Sequence, residues 1–229
     1  MKTTKKTVKK YAAMYQSALQ RAGMEDAAQK TQRYAARLTD MYASDAYRQH
    51  DRYPSMRVPQ VYAVIAMCLA LKDAGLTKDA IISLVNDAFR APKRVLGCLE
   101  RVIDRFPFAW AAVRKWNLAD HENRLKDGSI VYDEFRADVD RVSYRISRCM
   151  YAEMFGFYGI RELCKIFCMS DTLAYANLTR HVRFVRHSDL SDGDCCHDDV
   201  YQVKNKSTRM RKCFFVVQQD NPNPNRFCC

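Results

Sequence analysis

No cysteine occurs in the first 67 residues, and none of the ten in the chain stands in a Cys-x-x-Cys pair. That weakens the zinc signature, and the spacings from Cys149 to Cys168 to Cys196 match no standard finger or ribbon. Also missing is an apolar run of bilayer length: the longest, "VYAVIAMCLAL" at 61–71, is about half of the ~20 residues a spanning helix needs. The opening "MKTTKKTVKK" is basic, but "YAAMYQSALQ" behind it lacks the continuous apolar core of an export signal. The expectation is a cytoplasmic protein with no membrane association, where thiols serve as core residues, ligands or nucleophiles. Negative charge is short, with 26 Asp and Glu against 38 Lys and Arg in 229 residues, a net +12. That excess permits contact with nucleic acid or an anionic surface. No nucleic-acid module and no strip of interleaved aromatic and basic side chains accompanies it, so nucleic acid is not the expected partner. The closing Cys228-Cys229 pair lacks the four-residue form of a prenylation signal.

What is present is a core: 48% hydrophobic residues, 11% aromatic. In the first half the apolar residues recur at helical spacing. Tyr11, Met14, Tyr15, Ala18 and Leu19 share one face of a helix ending at Gly23, and a second helix is expected from Glu25 to about Ala46. Residues 60–74 read as a buried helix stopped by Gly75, and Thr77 as the cap of a helix carrying Ile81, Leu84, Val85, Ala88 and Phe89 on one face. After Pro92, Val95, Leu99, Val102, Ile103 and Phe106 form another stripe, also expected to be core.

The polar stretch 117–130 contains the turn signal Asp127-Gly128 and reads as a boundary. Beyond it "RVSYRISRC" alternates as a half-buried strand ending on Cys149. Residues 150–168 return to helical character, a short helix starts near Asp171, and "HVRFVRHS" and "DDVYQVKNKS" read as strands flanking "SDGD". The expected fold class is α+β, with a helical region at 1–118 packed on a small cysteine-rich α+β region at 119–215 with short antiparallel strands. The Asn- and Pro-rich 216–229 reads as a mobile tail.

Eight of the ten cysteines follow residue 148. Three sit where rigid elements end: Cys149 closing a strand, Cys168 closing a helix and Cys196 opening a hairpin strand. Cys164 lies one turn before Cys168, and Asp171 three residues after it. Strand alternation sends Cys195 and Cys196 to opposite faces, and the sequence leaves open which one faces inward beside His197 or Asp194. Ligands need meet only in space, so a metal site built from Cys149, Cys168 and Cys196 stays open, although no resident metal is the expectation.

The stretches "ISRCMYAEMFGFYGIRELCKIFCMSDTLAYANL" and "LSDGDCCHDDV" resemble the L-2-amino-thiazoline-4-carboxylic acid hydrolase family, which carries R-C-x-Y, then E-L-C-x-x-F-C-x-x-D, then G-D-x-C-D-F. Arg148, Cys149 and Tyr151 fit the first motif, Glu162, Leu163, Cys164, Phe167, Cys168 and Asp171 the second, and Gly193, Asp194 and Cys196 the third. His197-Asp198 stands where the family has Asp-Phe. The resemblance implies a hydrolase that opens a cyclic isothiourea to an N-carbamoyl-cysteine product, with a small-molecule substrate. It implies Cys168 as nucleophile, Asp171 as amidine-binding group or base, and Cys149 and Cys196 lining the site. Arg148 or Arg180 would hold a substrate carboxylate, with Glu162 and Asp194 also on the substrate side. If instead Cys149, Cys168 and Cys196 held a transition metal, Asp171 would orient a bound water. A competing class is a cysteine-rich metal- or ligand-binding sensory module without turnover.

Overall fold

The computed structural model describes residues 2–53, 57–90, 94–193 and 195–204. Asp194, Pro92 and the expected tail at 216–229 lie outside the described residues.

Seven helices come first: α1 (Lys2–Arg21), α2 (Ala27–Ala43), α3 (Asp45–Gln49), α4 (Val58–Asp73), α5 (Lys78–Arg90), α6 (Arg94–Ile103) and α7 (Ala109–Asp127). Helix α4 is apolar all round, and Val61 through Cys68 are each at most 1 % exposed. Such a helix is stable only at the centre of a packed body. Helices α1, α2 and α5 surround it, with Tyr15 against Tyr34 at 4.7 Å and the Tyr34 hydroxyl donating to the Ala63 carbonyl at 3.2 Å. Ser44 caps the second helix, which ends three residues earlier than expected, because the Ser44 Oγ accepts from the Tyr47 amide and starts α3. Thr77 caps α5 as expected, its Oγ1 accepting from Ala80 N at 3.4 Å.

The chain then forms a hairpin, β1 (Ile130–Ala137) and β2 (Arg141–Cys149), followed by α8 (Met150–Phe157), a 3-10 turn (Arg161–Cys164), α9 (Lys165–Tyr175), β3 (Val182–Ser188) and β4 (Cys196–Gln202). The sheet order is β1-β2-β4-β3 with every neighbour antiparallel, so the fold is α+β. One continuous apolar core runs from Tyr11 through α4 to Ile146, Met150 and Cys196. A smaller cluster of Trp110, Val113, Val142, Tyr175, Val182 and Val200 seats α7 and α9 on the sheet. Among the described residues no helix is long and apolar enough to cross a membrane.

Four expectations are corrected. The polar stretch after 117 is the second half of α7, with Glu122, Asn123 and Lys126 exposed and Asn117, Asp120 and Arg124 turned inward, and the turn begins only at Gly128, in the left-handed region at φ 65°. Strand β1 went unseen because register shifts around Tyr132 put Asp133 and Glu134 both outward, which breaks the period of two. The expected helix start at Asp171 is absent: α9 runs unbroken from Lys165 through Tyr175, so Asp171 is interior and Cys168 lies in the helix's first turn. The helical run from 150 breaks instead at Gly159, with φ 66°. Finally, Leu99, Val102 and Phe106 of the α6 stripe are not core, being 54 %, 48 % and 45 % exposed. The end of α6 is anchored by polar bonds, with Asp104 accepting from the amides of Arg180 and His181.

Candidate active site

A cavity of about 130 Å³ lies between the inner face of the sheet and the helices α7, α8 and α9. Its floor follows from strand alternation. On β2, Tyr144 and Ile146 share one phase, and on β4 Cys196 and Asp198 share the phase of buried Val200. Its roof follows from helical spacing. Cys164, Cys168, Asp171 and Tyr175 fall three or four residues apart and line the cavity from one face of the chain through α9. Asn117, Asp120 and Arg124 do the same along α7. Cys149, where β2 passes into α8, closes the end.

All four residues singled out for chemistry, Cys149, Cys168, Asp171 and Cys196, therefore line one cavity. Of the residues expected on the substrate side, Arg148 lies in a neighbouring pocket that shares Cys149, where it pairs with Glu153 at 3.5 Å. Arg180 is exposed, and Glu162, in the 3-10 turn, is partly buried; neither lines the cavity. Asp194 is outside the described residues.

An ion-paired network the sequence did not announce organises the site. Arg186 on β3 donates through Nε and Nη2 to both Asp198 oxygens, at 2.9 and 2.7 Å, and through Nη2 to Asp171 at 3.0 Å. Its Nη1 donates to the Cys168 carbonyl oxygen. One guanidinium thus ties β3, β4 and α9 together and fixes the turn that carries Cys168. Asp198, only 1 % exposed, is compensated by this bidentate pair and by the Cys196 thiol at 3.5 Å. The departure at His197-Asp198 is therefore matched from across the sheet by an arginine. The available signal was phase: Arg186 is in step with the inward-facing Val182 and Phe184, and a charge on the apolar phase of a strand needs a buried partner.

Enclosure sets the protonation states. Burial raises the Asp171 carboxyl to about 6, helped by Asp198 and Asp120 and opposed by Arg186. Half of the Asp171 side chain is still open, and that open surface faces the cavity. Burial pushes the Cys149 thiol up to about 12 and that of Cys196 upward as well. Cys164 is held protonated first by its hydrogen bond to Cys168 and then by burial. The thiols around Cys168 thus keep their protons at neutral pH, and one of them donates to the Cys168 sulfur.

Arg124 carries a further polar feature. Its Nε pairs with Asp120 at 3.2 Å, while its Nη1 is buried without a hydrogen-bond partner. A buried guanidinium N–H without a partner is costly. Arg124 also borders a second cavity of about 340 Å³, which shares Tyr151, Phe167 and Ser170 with the first and adds Arg57.

The sequence profile described as L-2-amino-thiazoline-4-carboxylic acid hydrolase matches residues 59–198, from the start of α4 into β4. The chain belongs to that family. No curated protein and no solved structure matches it. The hydrolase match spans every element that lines the cavity, α7, β1, β2, α8, α9, β3 and the start of β4. The α4 scaffold behind them falls within it too.

Proposed function

We propose that this member of the thiazoline hydrolase family is a hydrolase whose reaction takes place in the cavity between α7, α9 and the sheet. The observation that carries the reading is the gathering of Cys168 and Asp171 on one helical face beneath Arg186, with protonated thiols on either side. The substrate this favours is a 2-amino-thiazoline carboxylate, whose ring carbon between sulfur and nitrogen is electrophilic.

Asp171 takes the proton of Cys168, and the thiolate adds to the ring carbon. The carbon–sulfur bond of the ring breaks, the leaving sulfur takes the proton back from Asp171, and an S-linked isothiourea remains on Cys168. Asp171, ionised again, removes a proton from water as its oxygen adds to the same carbon. The Cys168 sulfur then leaves with that proton, giving a ureido product with a free thiol. One carboxyl carries all four proton transfers, and a group that titrates near 6 suits both giving and taking. Arg124 Nη1 receives the substrate carboxylate, and the second cavity, with Arg57 at its wall, is the approach.

The direct test is incubation with 2-amino-thiazoline-4-carboxylate while free thiol is followed with a chromogenic disulfide. Catalytic thiol release with formation of N-carbamoyl-cysteine supports the reading; no turnover of this or related cyclic isothioureas would sink it. Two outcomes follow from the geometry. Arg124→Met should raise KM by roughly 10- to 100-fold with little change in kcat, the loss of one charged hydrogen bond that substrate and transition state share. An unchanged KM would remove the carboxylate from Arg124. The pH profile of kcat/KM should have an acid limb at about 6, because Asp171 must be ionised to accept the thiol proton and its carboxyl is raised to that value. Activity therefore rises with pH through 6, and a limb left near 4, the ordinary carboxylate range, would count against Asp171 as the base.

A further inference from the structure

Strand β4 presents a different chemistry on its other face. Where Cys196 and Asp198 turn to the cavity, alternation turns His197 and Asp199 away from it. Neighbouring β3 is an edge strand with a register irregularity between Arg186 and Ser188. Arg186 still pairs with Asp198, but it is Ser188 that pairs with His197, so His187 is the extra, bulged residue. Bulges re-aim side chains, and this one brings the His187 ring to 4.6 Å from that of His197. A nitrogen from each imidazole and a carboxylate oxygen of Asp199 all lie within 4.8 Å of one another. Among the described residues this is the one such group of three, and none of its members lines the cavity.

The third member is held in place by its neighbours. Asp199 is 2 % exposed and accepts hydrogen bonds from Arg141 and Tyr201. The bonds divide between its two oxygens. Arg141 lies mainly on Oδ1, with Nη2 at 2.8 Å and Nε at 3.0 Å, and reaches Oδ2 at 3.0 Å. Oδ2 otherwise accepts from Tyr201 at 2.8 Å and faces His187 Nε2 at 2.9 Å. Hydrogen bonds of this kind orient a ligating carboxylate.

We propose that His187, His197 and Asp199 form a binding site for a divalent cation of the zinc class, with a fourth coordination position open to water. Two imidazoles and a carboxylate are borderline donors that suit zinc, cobalt or nickel better than calcium or magnesium. Tetrahedral coordination with bonds of ~2.0–2.1 Å sets the donors about 3.3 Å apart, so His187 Nε2 withdraws from Oδ2 by a few tenths of an ångström and the His197 nitrogen, within 4.8 Å of both, moves in to meet them. The His187 side chain is 44 % exposed and free to make that adjustment. Binding replaces the hydrogen bond between His187 and Asp199 with two metal bonds, His187 ligating as the neutral imidazole with its proton on Nδ1. It cross-links β3 to β4 on the outer face, directly behind the strands that hold Arg186 and Asp198.

The test is titration of the full-length protein, metal-free and reduced, with cobalt(II), followed by displacement with zinc. One equivalent should bind with visible ligand-field bands and no sulfur-to-cobalt charge-transfer band, because no thiolate is in the ligand set. His187→Ala and His197→Ala should each weaken binding by at least about tenfold. Asp199 is a poor choice for substitution because it also anchors Arg141 and Tyr201. In the unaltered protein, zinc should shift the imidazole NMR signals of His187 and His197 and leave those of His50 and His121 in place. A charge-transfer band, affinity unchanged in both variants, or absence of one-equivalent binding would overturn the assignment. None of these results depends on turnover, so failure here is separable from failure of the hydrolase reading.

Discussion

Cys168→Ser is expected to slow thiol release from 2-amino-thiazoline-4-carboxylate by roughly a thousandfold or more while the protein keeps its fold. A serine hydroxyl at this position does not ionise near neutrality, and Asp171, titrating at about 6, is too weak a base to hold its proton. Neighbouring thiols provide the comparison. Burial holds the Cys149 thiol up at about 12, and that of Cys196 is raised in the same way. Both are therefore protonated bystanders at neutral pH, and Cys149→Ser or Cys196→Ser should cost no more than about tenfold in kcat. Steady-state kinetics on the three variants, with circular dichroism to compare their folds, makes the check. Full activity in Cys168→Ser would end its role as nucleophile, and a larger loss in Cys149→Ser would move that role.

The second large effect is on stability. Arg186→Met should destabilise the protein by about 3–5 kcal/mol, because it leaves the carboxylate of Asp198 buried without its charge partner. For a chain of this size that corresponds to a fall in Tm on the order of 10 °C. The same substitution removes the group that holds the Asp171 carboxyl down, so any residual activity should show its acid limb moved above 6. Pairing Arg186→Met with Asp198→Leu removes both charges and should recover much of the lost stability, since desolvating a lone charge is the larger part of the cost. Urea denaturation of the two single variants and the double variant measures the coupling between them. Purely additive losses would mean that the bidentate pair does not hold the strands as described.

How far the sequence discloses this site depends on where each residue's signal comes from. Cys149 and Cys196 were readable as strand ends because the periods of "RVSYRISRC" and of the last strand are local facts. Cys168 and Asp171 were readable as neighbours three residues apart, but at the end of one helix and the start of the next, whereas α9 runs through both and sets them on one face. The partners that organise them were not readable in the same way. Arg186 and Asp198 are 12 residues apart and meet only because β3 pairs with β4. Asp120 and Arg124 lay in a stretch whose polarity read as a boundary, whereas they are polar residues on the inner face of a helix that lines the cavity. The α6 stripe shows the opposite error: apolar periodicity reports a helix and its apolar face, but says nothing about whether another element covers it.

Covalent chemistry at Cys168 is the centre of the account, and intact-protein mass spectrometry of a reaction quenched with acid during the first turnovers tests it most directly. Ring opening by the thiolate expels no atom, so the account predicts a transient adduct heavier than the free protein by the whole mass of the substrate. Peptide mapping should place it on Cys168, and the Cys168→Ser variant should lack it. Rapid turnover with no adduct at any quench time, or an adduct mapped to another cysteine, would contradict it.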